Sequence, residues 1–215
     1  MPDWAGSGAW PWWRPSTPRY PDTLRFEAGD LLLFSYPADD LAAKIRRGQQ
    51  LLGYATEHAE FTHAAVYLGS DCVLCDAAEQ GVRLHLLPSL VMPPAGLAPN
   101  QDAMLVRRVP RKNSAVRARI AATALSYLDS EYGHEDLVRI KTSIRHRQPL
   151  PESADSGLLC SMLFSRSWSR AIPGARLPVY QAGQAGEGEP IVLPAALAAT
   201  ELLETVNWQS LPVRS

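Results

Sequence analysis

The sequence predicts an α+β fold, an antiparallel sheet with its helices segregated to one side. Three observations carry this reading. Short apolar or alternating runs follow one another between residues 62 and 86, with only turn residues between them, which is hairpin spacing. Two segments, 113–128 and 158–171, repeat apolar residues at helical spacing. The helical segments lie outside the strand cluster rather than alternating with it.

Residues 1 to about 25 form a Trp/Pro-rich arm, with Trp4, Trp10, Trp12 and Trp13 among Pro11, Pro15, Pro18 and Pro21. Proline at this density forbids a regular helix. The tryptophans are too costly to leave exposed, so part of the arm is expected to pack on a body spanning 26–215. A docking segment for a partner or a lipid surface is the alternative. Glu27-Ala28-Gly29-Asp30 is a turn, and Leu31 to Tyr36 is a buried strand. Asp39 to Leu52 reads as a helix with apolar Leu41, Ile45, Leu51 and Leu52. Strands follow at Thr62 to Leu68, Cys72 to Ala77, Gly81 to Leu86 and Ala103 to Val109, with a proline loop at 88–99. The helix at 113–128 has Ser114 as its N-cap and Val116, Ile120, Ala124 and Leu128 as its stripe. A further helix is expected at Glu135 to Ile144, a polar loop at 148–156, and an irregular Gly/Pro-rich stretch at 173–190. A short helix spans Pro194 to Leu203, and an extended segment ends the chain at 206–208.

The 215 residues are enough for one substantial core. A net charge of -1 gives no global field for nucleic acid or an anionic membrane. The local basic group Arg139, Lys141, Arg145 and Arg147 reads as a solvated face. No stretch approaches the run of about 20 apolar residues that spans a bilayer, so no transmembrane segment is expected. The N-terminus lacks the basic-then-apolar order of a secretory signal. Three cysteines make no disulfide scaffold, so the composition suits a reducing cytoplasm.

The chemistry is expected at Cys160 and His63. Cys160 falls in the first turn of a helix, where free amides and the helix dipole favour a thiolate. A buried small hydrophobe is the bland alternative. His63 opens an otherwise apolar strand, as a base for that thiol or as a satisfied core histidine. Asp76, on the return strand, can come beside His63 and orient its ring, or be an edge aspartate. Cys72 and Cys75 have the spacing of half a metal site, but strand alternation sends them to opposite faces, so no metal is expected.

These residues resemble the NlpC/P60 superfamily of papain-like cysteine hydrolases. Ala28-Gly29-Asp30-Leu31-Leu32-Leu33 resembles its opening strand, Thr62-His63-Ala64-Ala65-Val66-Tyr67-Leu68-Gly69 its histidine strand, and Val73 to Ala77 with Gly81-Val82 its next strand pair. Leu159-Cys160-Ser161-Met162-Leu163 resembles the cysteine helix of the circularly permuted branch, in which the cysteine follows the histidine; Met162 stands where that branch usually has Glu. The branch includes the YiiX/YaeF-like hydrolases and is related to the lecithin:retinol acyltransferase group. Ile191 to Leu197 resembles the segment that follows the cysteine helix. The resemblance covers roughly residues 26 to 208. It implies a permuted papain-like fold, an antiparallel sheet or small barrel packed on helices. Cys160 becomes the nucleophile, His63 the base and Asp76 the orienting group. Tyr132, Thr62 and Ser161 become candidate substrate contacts, with His58 or Glu79 next in line for the third role.

The implied activity is a cysteine hydrolase that needs no cofactor. Its substrate is expected to be a peptidoglycan stem peptide, cleaved at an amide. A lipid or acyl-protein ester is the alternative, favoured if an apolar groove adjoins Cys160. A catalytically inactive binding module on the same scaffold is a third reading. Because no signal is present, export by a specialised secretion machine as an antibacterial effector is one route to peptidoglycan. The 1–25 arm would then contact the secretion apparatus or an immunity protein.

Overall fold

The structure is a computed structural model that describes residues 9–11, 13–14, 17–36, 40–69, 72–87, 103–110, 113–154, 157–174, 177, 189–208 and 210–212. Its centre is one antiparallel sheet. The strands that build it are β1 (Ala9–Pro11), β4 (Leu31–Ser35), β5 (His63–Tyr67), β6 (Val73–Ala78), β7 (Gly81–Leu86), β8 (Ala103–Arg108) and β9 (Glu204–Thr205). The order is β1-β8-β4-β5-β6-β7, with β9 also on β8. β1 pairs with residues 103–105 and β9 with 107–108, so the two share one edge of β8 and the sheet is six strands wide. It is open, which corrects the small-barrel option: among the described residues β7 pairs only with β6, and no strand joins it to the opposite edge. A separate small sheet is formed by β2 (Trp13–Arg14), β3 (Thr17–Pro21) and β10 (Ser210–Pro212).

The helices are α1 (Asp40–Leu51), α2 (Thr56–Ala59), α3 (Ser114–Leu125), α4 (His134–His146), α5 (Cys160–Ala171) and α6 (Pro194–Ala199). Strand alternation divides the apolar residues into two cores. Leu31, Leu33, Ala64, Val66, Cys75 and Leu105 face the helices, in one core with Ile120, Leu163, Phe164 and Trp168. Leu32, Phe34, Ala65, Tyr67, Leu74 and Met104 face the other way. That second face is covered by Phe26, Val206 and Trp208, with the Phe26 ring edge-on to Tyr67 and to Trp208. The extended segment at 206–208 is therefore the lid of the second core.

α5 is the central helix: nine of its twelve residues are buried, including Leu163 and Phe164. Each large apolar side chain buried in this way stabilises the fold by about 1.5–3 kcal/mol. α3 is capped one residue earlier than expected, by Asn113 rather than Ser114, and Asn113 makes no side-chain capping bond. Of the expected stripe, Ile120 and Ala124 are buried, while Leu128 lies past the helix end and is 36% exposed. α6 ends at Ala199, and Leu203 reaches the core from the turn beyond it. The proline loop at 88–99, most of the 173–190 stretch and the arm's tryptophan side chains lie outside the described residues.

The turn before β4 is tied down by charge. Arg108, at the end of β8, grips Asp30 through two nitrogens, each 2.7 Å from a carboxylate oxygen. Its third nitrogen reaches Glu27 at 2.7 Å, and Arg117 of α3 takes the other Glu27 oxygen at 2.5 Å. Gly29 takes φ +85 between the two acids, and a Cβ there would meet the Arg117 carbonyl. The Gly-Asp pair of the opening motif is thus the knot joining β4, β8 and α3.

Asp30 and Arg108 are buried, and removing one partner strands the other's charge. Asp30→Ala is expected to destabilise the protein by about 3–5 kcal/mol, read by urea denaturation. A loss within 1 kcal/mol would show that the knot is dispensable.

Candidate functional site

His63 is the first residue of β5 and Asp76 the fourth of β6. β5 and β6 pair with Ala65 opposite Asp76, so His63, two residues before Ala65, is the diagonal neighbour of Asp76 on the same sheet face. The His63 Nε2 lies 2.7 Å from Asp76 Oδ2. Asp76 is almost wholly buried, with a side-chain exposure of 2%, against 17% for His63. The His63 ring packs against Phe34 and Tyr36, with centroids 6.2 and 6.0 Å away.

Cys160 is the first residue of α5 and is buried. Its sulfur lies close enough to His63 to act on the charge of the ring. With Nε2 turned to Asp76, Nδ1 is the ring atom left for the sulfur. Burial alone would push the imidazole down, but the Cys160 sulfur and then the Asp76 carboxylate outweigh it, holding His63 up at about 10. These neighbours therefore favour the protonated ring. The cap residue Leu159 gives α5 no side-chain capping bond, so the first amides of the helix keep their donors.

The remaining predicted contacts gather at the same place. Tyr132, Thr62, Ser161 and Glu79 line a cavity of about 300 Å³ together with Cys160 and His63. Tyr132 is held beside Cys160 by a parallel bridge to Leu158: Leu158 N donates to Glu131 O at 2.9 Å and Gly133 N to Leu158 O at 3.1 Å. Burial first, then its neighbours Cys160 and Glu79, pushes its phenol up, so it stays an O–H donor. Thr62 Oγ1 is buried and has no hydrogen-bond partner among the described residues. Ser161 Oγ is already engaged, donating to the Val192 carbonyl at 2.6 Å. Met162 accepts the Val192 amide on its sulfur at 3.2 Å, so the position where Glu was expected still supplies an acceptor, although a weak one. His58 lies in α2 and does not line the cavity.

Apart from Tyr36 and Gln49, whose amide is taken up by the backbone of Ala59, Phe61 and Ala195, the rest of the cavity is apolar. Leu41 and Ile45 come from α1, Leu137, Ile140 and Ile144 from α4, and Leu193 from the turn before α6. Among the described residues that line it there is no Lys or Arg. Sequence reasoning placed the polar residues but not these walls. The amphipathic pattern of the two helices was readable, but which part of each stripe stays open beside the sulfur was not.

Cys72 and Cys75 are kept apart. Cys75 belongs to the helix-side core and donates to the Ala124 carbonyl at 3.5 Å, whereas Cys72 packs against the opposite core. Burial, then the Asp76 charge, pushes the Cys75 thiol up to about 12.

No protein-family model matches the sequence, and no curated protein does. Among solved structures, the chain is similar to the metalloprotein YiiX from Escherichia coli O157:H7, with a TM-score of 0.56 and 16% identity over 85% of this chain and 97% of that one. The likeness shows a shared α+β fold. YiiX is called a metalloprotein; among the described residues here, no group of three or more His, Cys, Asp or Glu could hold a metal ion. Among the described residues, no helix is long and apolar enough to cross a membrane.

Gly157 explains how Tyr132 comes so close. A Cβ at 157 would stand 2.6 Å from the Tyr132 carbonyl. Gly157→Ala is expected to push the 157–159 segment off Tyr132 and shift the start of α5. It should lower both the melting temperature and the reactivity of Cys160, measured by calorimetry and thiol labelling. Unchanged values in both would show that the bridge does not position the cysteine.

Proposed function

We propose that this chain is a cysteine hydrolase of the permuted papain-like type that cleaves an ester or thioester carrying an apolar acyl chain. The observation that carries the acyl assignment is the cavity. It opens on Cys160 and His63, and aliphatic side chains from α1 and α4 form its walls. A stem peptide carries charged carboxylates and amines, which such walls would desolvate without compensation. An acyl chain instead gains about 0.8 kcal/mol per buried methylene. The fold similarity to YiiX agrees with the branch that the sequence motifs resemble.

In this reading the Cys160 sulfur attacks the carbonyl carbon as a thiolate, with the His63 imidazolium beside it. The oxyanion is met by the free amides at the start of α5, aided by the Tyr132 hydroxyl. Nδ1 of His63 then gives its proton to the leaving alcohol or thiol as the carbon–oxygen or carbon–sulfur bond breaks. Water attacks the acyl-enzyme, His63 takes its proton, and the fatty acid leaves as the thiolate re-forms. Asp76 holds the ring through Nε2 during both proton transfers.

The direct test is hydrolysis of p-nitrophenyl esters of increasing chain length, beside muropeptides. The expected result is kcat/KM rising about fourfold per added methylene until the cavity is filled. Cys160→Ala and His63→Ala should abolish the activity, and Asp76→Ala should reduce it by less. Cleavage of muropeptides by the wild type alone, with no gain from longer esters, would return the assignment to a peptidoglycan amidase.

Iodoacetamide at about pH 6 separates an enzyme from an inert binding module, because an ordinary thiol is almost wholly protonated there. Cys160 should label ahead of Cys72 and Cys75, and His63→Ala should remove the preference. Equal labelling of all three would mean that Cys160 is only a packed core residue.

A further inference from the structure

The proposed chemistry engages one oxygen of Asp76. The second, Oδ1, is buried and has no well-directed hydrogen bond among the described residues. The Nε2 of His85 stands 3.2 Å from it. His85 lies on β7, opposite Leu74 of β6, while Asp76 faces Arg83. His85 is therefore the diagonal neighbour of Asp76 on the β7 side, as His63 is on the β5 side. One carboxylate sits between two imidazoles, each presenting Nε2 to a different oxygen.

We infer that His85 is a positioning residue for the Cys160–His63 pair. Its Nε2–H holds Oδ1 of Asp76 so that Oδ2 stays aimed at His63. The inference rests on the hydrolase reading. A buried carboxylate with one oxygen unpaired carries the desolvation penalty of that oxygen. It can relieve the penalty by rotating, which weakens its pull on the His63 ring. His85 closes that route. Its side chain is one-third exposed, so it can be replaced without opening a core cavity. Among the described residues, the charged and titratable groups nearest to it by contact or strand position are Asp76 on β6, His63 beyond it on β5, and Arg83 two residues away on β7. The Arg83 guanidinium is turned to the Gln80 carbonyl and lies 3.9 Å from Asp129.

The test is the rate of Cys160 alkylation by iodoacetamide from pH 5 to 9, read by peptide mass, in the full chain. No substrate is needed. His85→Phe, which has no donor, should slow labelling at pH 6 by about two- to tenfold and move the rise of the profile to higher pH. His85→Gln, a neutral donor, should restore most of the rate. In an Asp76→Asn background the His85→Phe change should have no further effect. His85→Ala serves as a second donor-less variant should the phenylalanine disturb folding, and melting temperatures verify each protein. A wild-type preference for Cys160 that survives both donor-less variants in full overturns the role of His85 and leaves the hydrolase reading standing. The absence of any Cys160 preference in the wild type overturns the hydrolase reading, and this inference with it.

Discussion

The pairing register of β5 with β6 is the constraint on which the rest of the site depends. Ala65 sits opposite Asp76, and this places His63 and Asp76 on one sheet face at diagonal distance. A slip of one residue would turn Asp76 into the helix-side core, where Cys75 now lies, and would present a thiol to His63 in its place. The slip is opposed by apolar burial on both faces. Val66 and Cys75 fill one core, and Ala65, Tyr67 and Leu74 fill the other. With two buried faces, neither side of the strand tolerates the exchange.

The cysteine reaches that histidine by a different route. α5 is held by packing along almost its whole length, and its start is fixed from two sides. On one, the parallel bridge of Leu158 to Tyr132 sets where the chain enters the helix. On the other, Ser161 and Met162 both bind the Val192 backbone, one through its carbonyl and one through its amide. The segment at 191–193 is thereby clamped to the first turn, and Leu193 is delivered to the cavity wall. The same contacts that stabilise the helix start therefore shape the wall of the cavity.

Two of the buried polar groups have different electrostatic duties. The Asp30–Arg108–Glu27–Arg117 knot is balanced, its acids and bases paired within it, and it fixes β4 against β8 and α3. The Asp76 group has one carboxylate for two imidazoles and a sulfur, so its charge is shared rather than matched. A balanced buried group suits a structural tie, whereas a shared one keeps protons available for transfer.

The sequence by itself determined the strands from 31 to 86 to within a residue or two at each end, because alternation and turn residues are local signals. It also determined that Cys160 starts a helix and that Asp76 follows His63 across a hairpin, since both depend on short-range spacing. Tertiary structure alone decided the rest. The sheet remains open because β8 crosses to the far side of β4, a pairing between segments some 70 residues apart that no local pattern records. The walls beside Cys160 come from α1 and α4, so the apolar character of the cavity exists only once those helices face each other. Tyr132 reaches the cysteine through the close approach that Gly157 allows, and His85 reaches Asp76 through the β6–β7 register. Each of these is a meeting of residues distant in the chain or set by register, and the physical reason is the same: packing chooses among local possibilities that the sequence leaves equal.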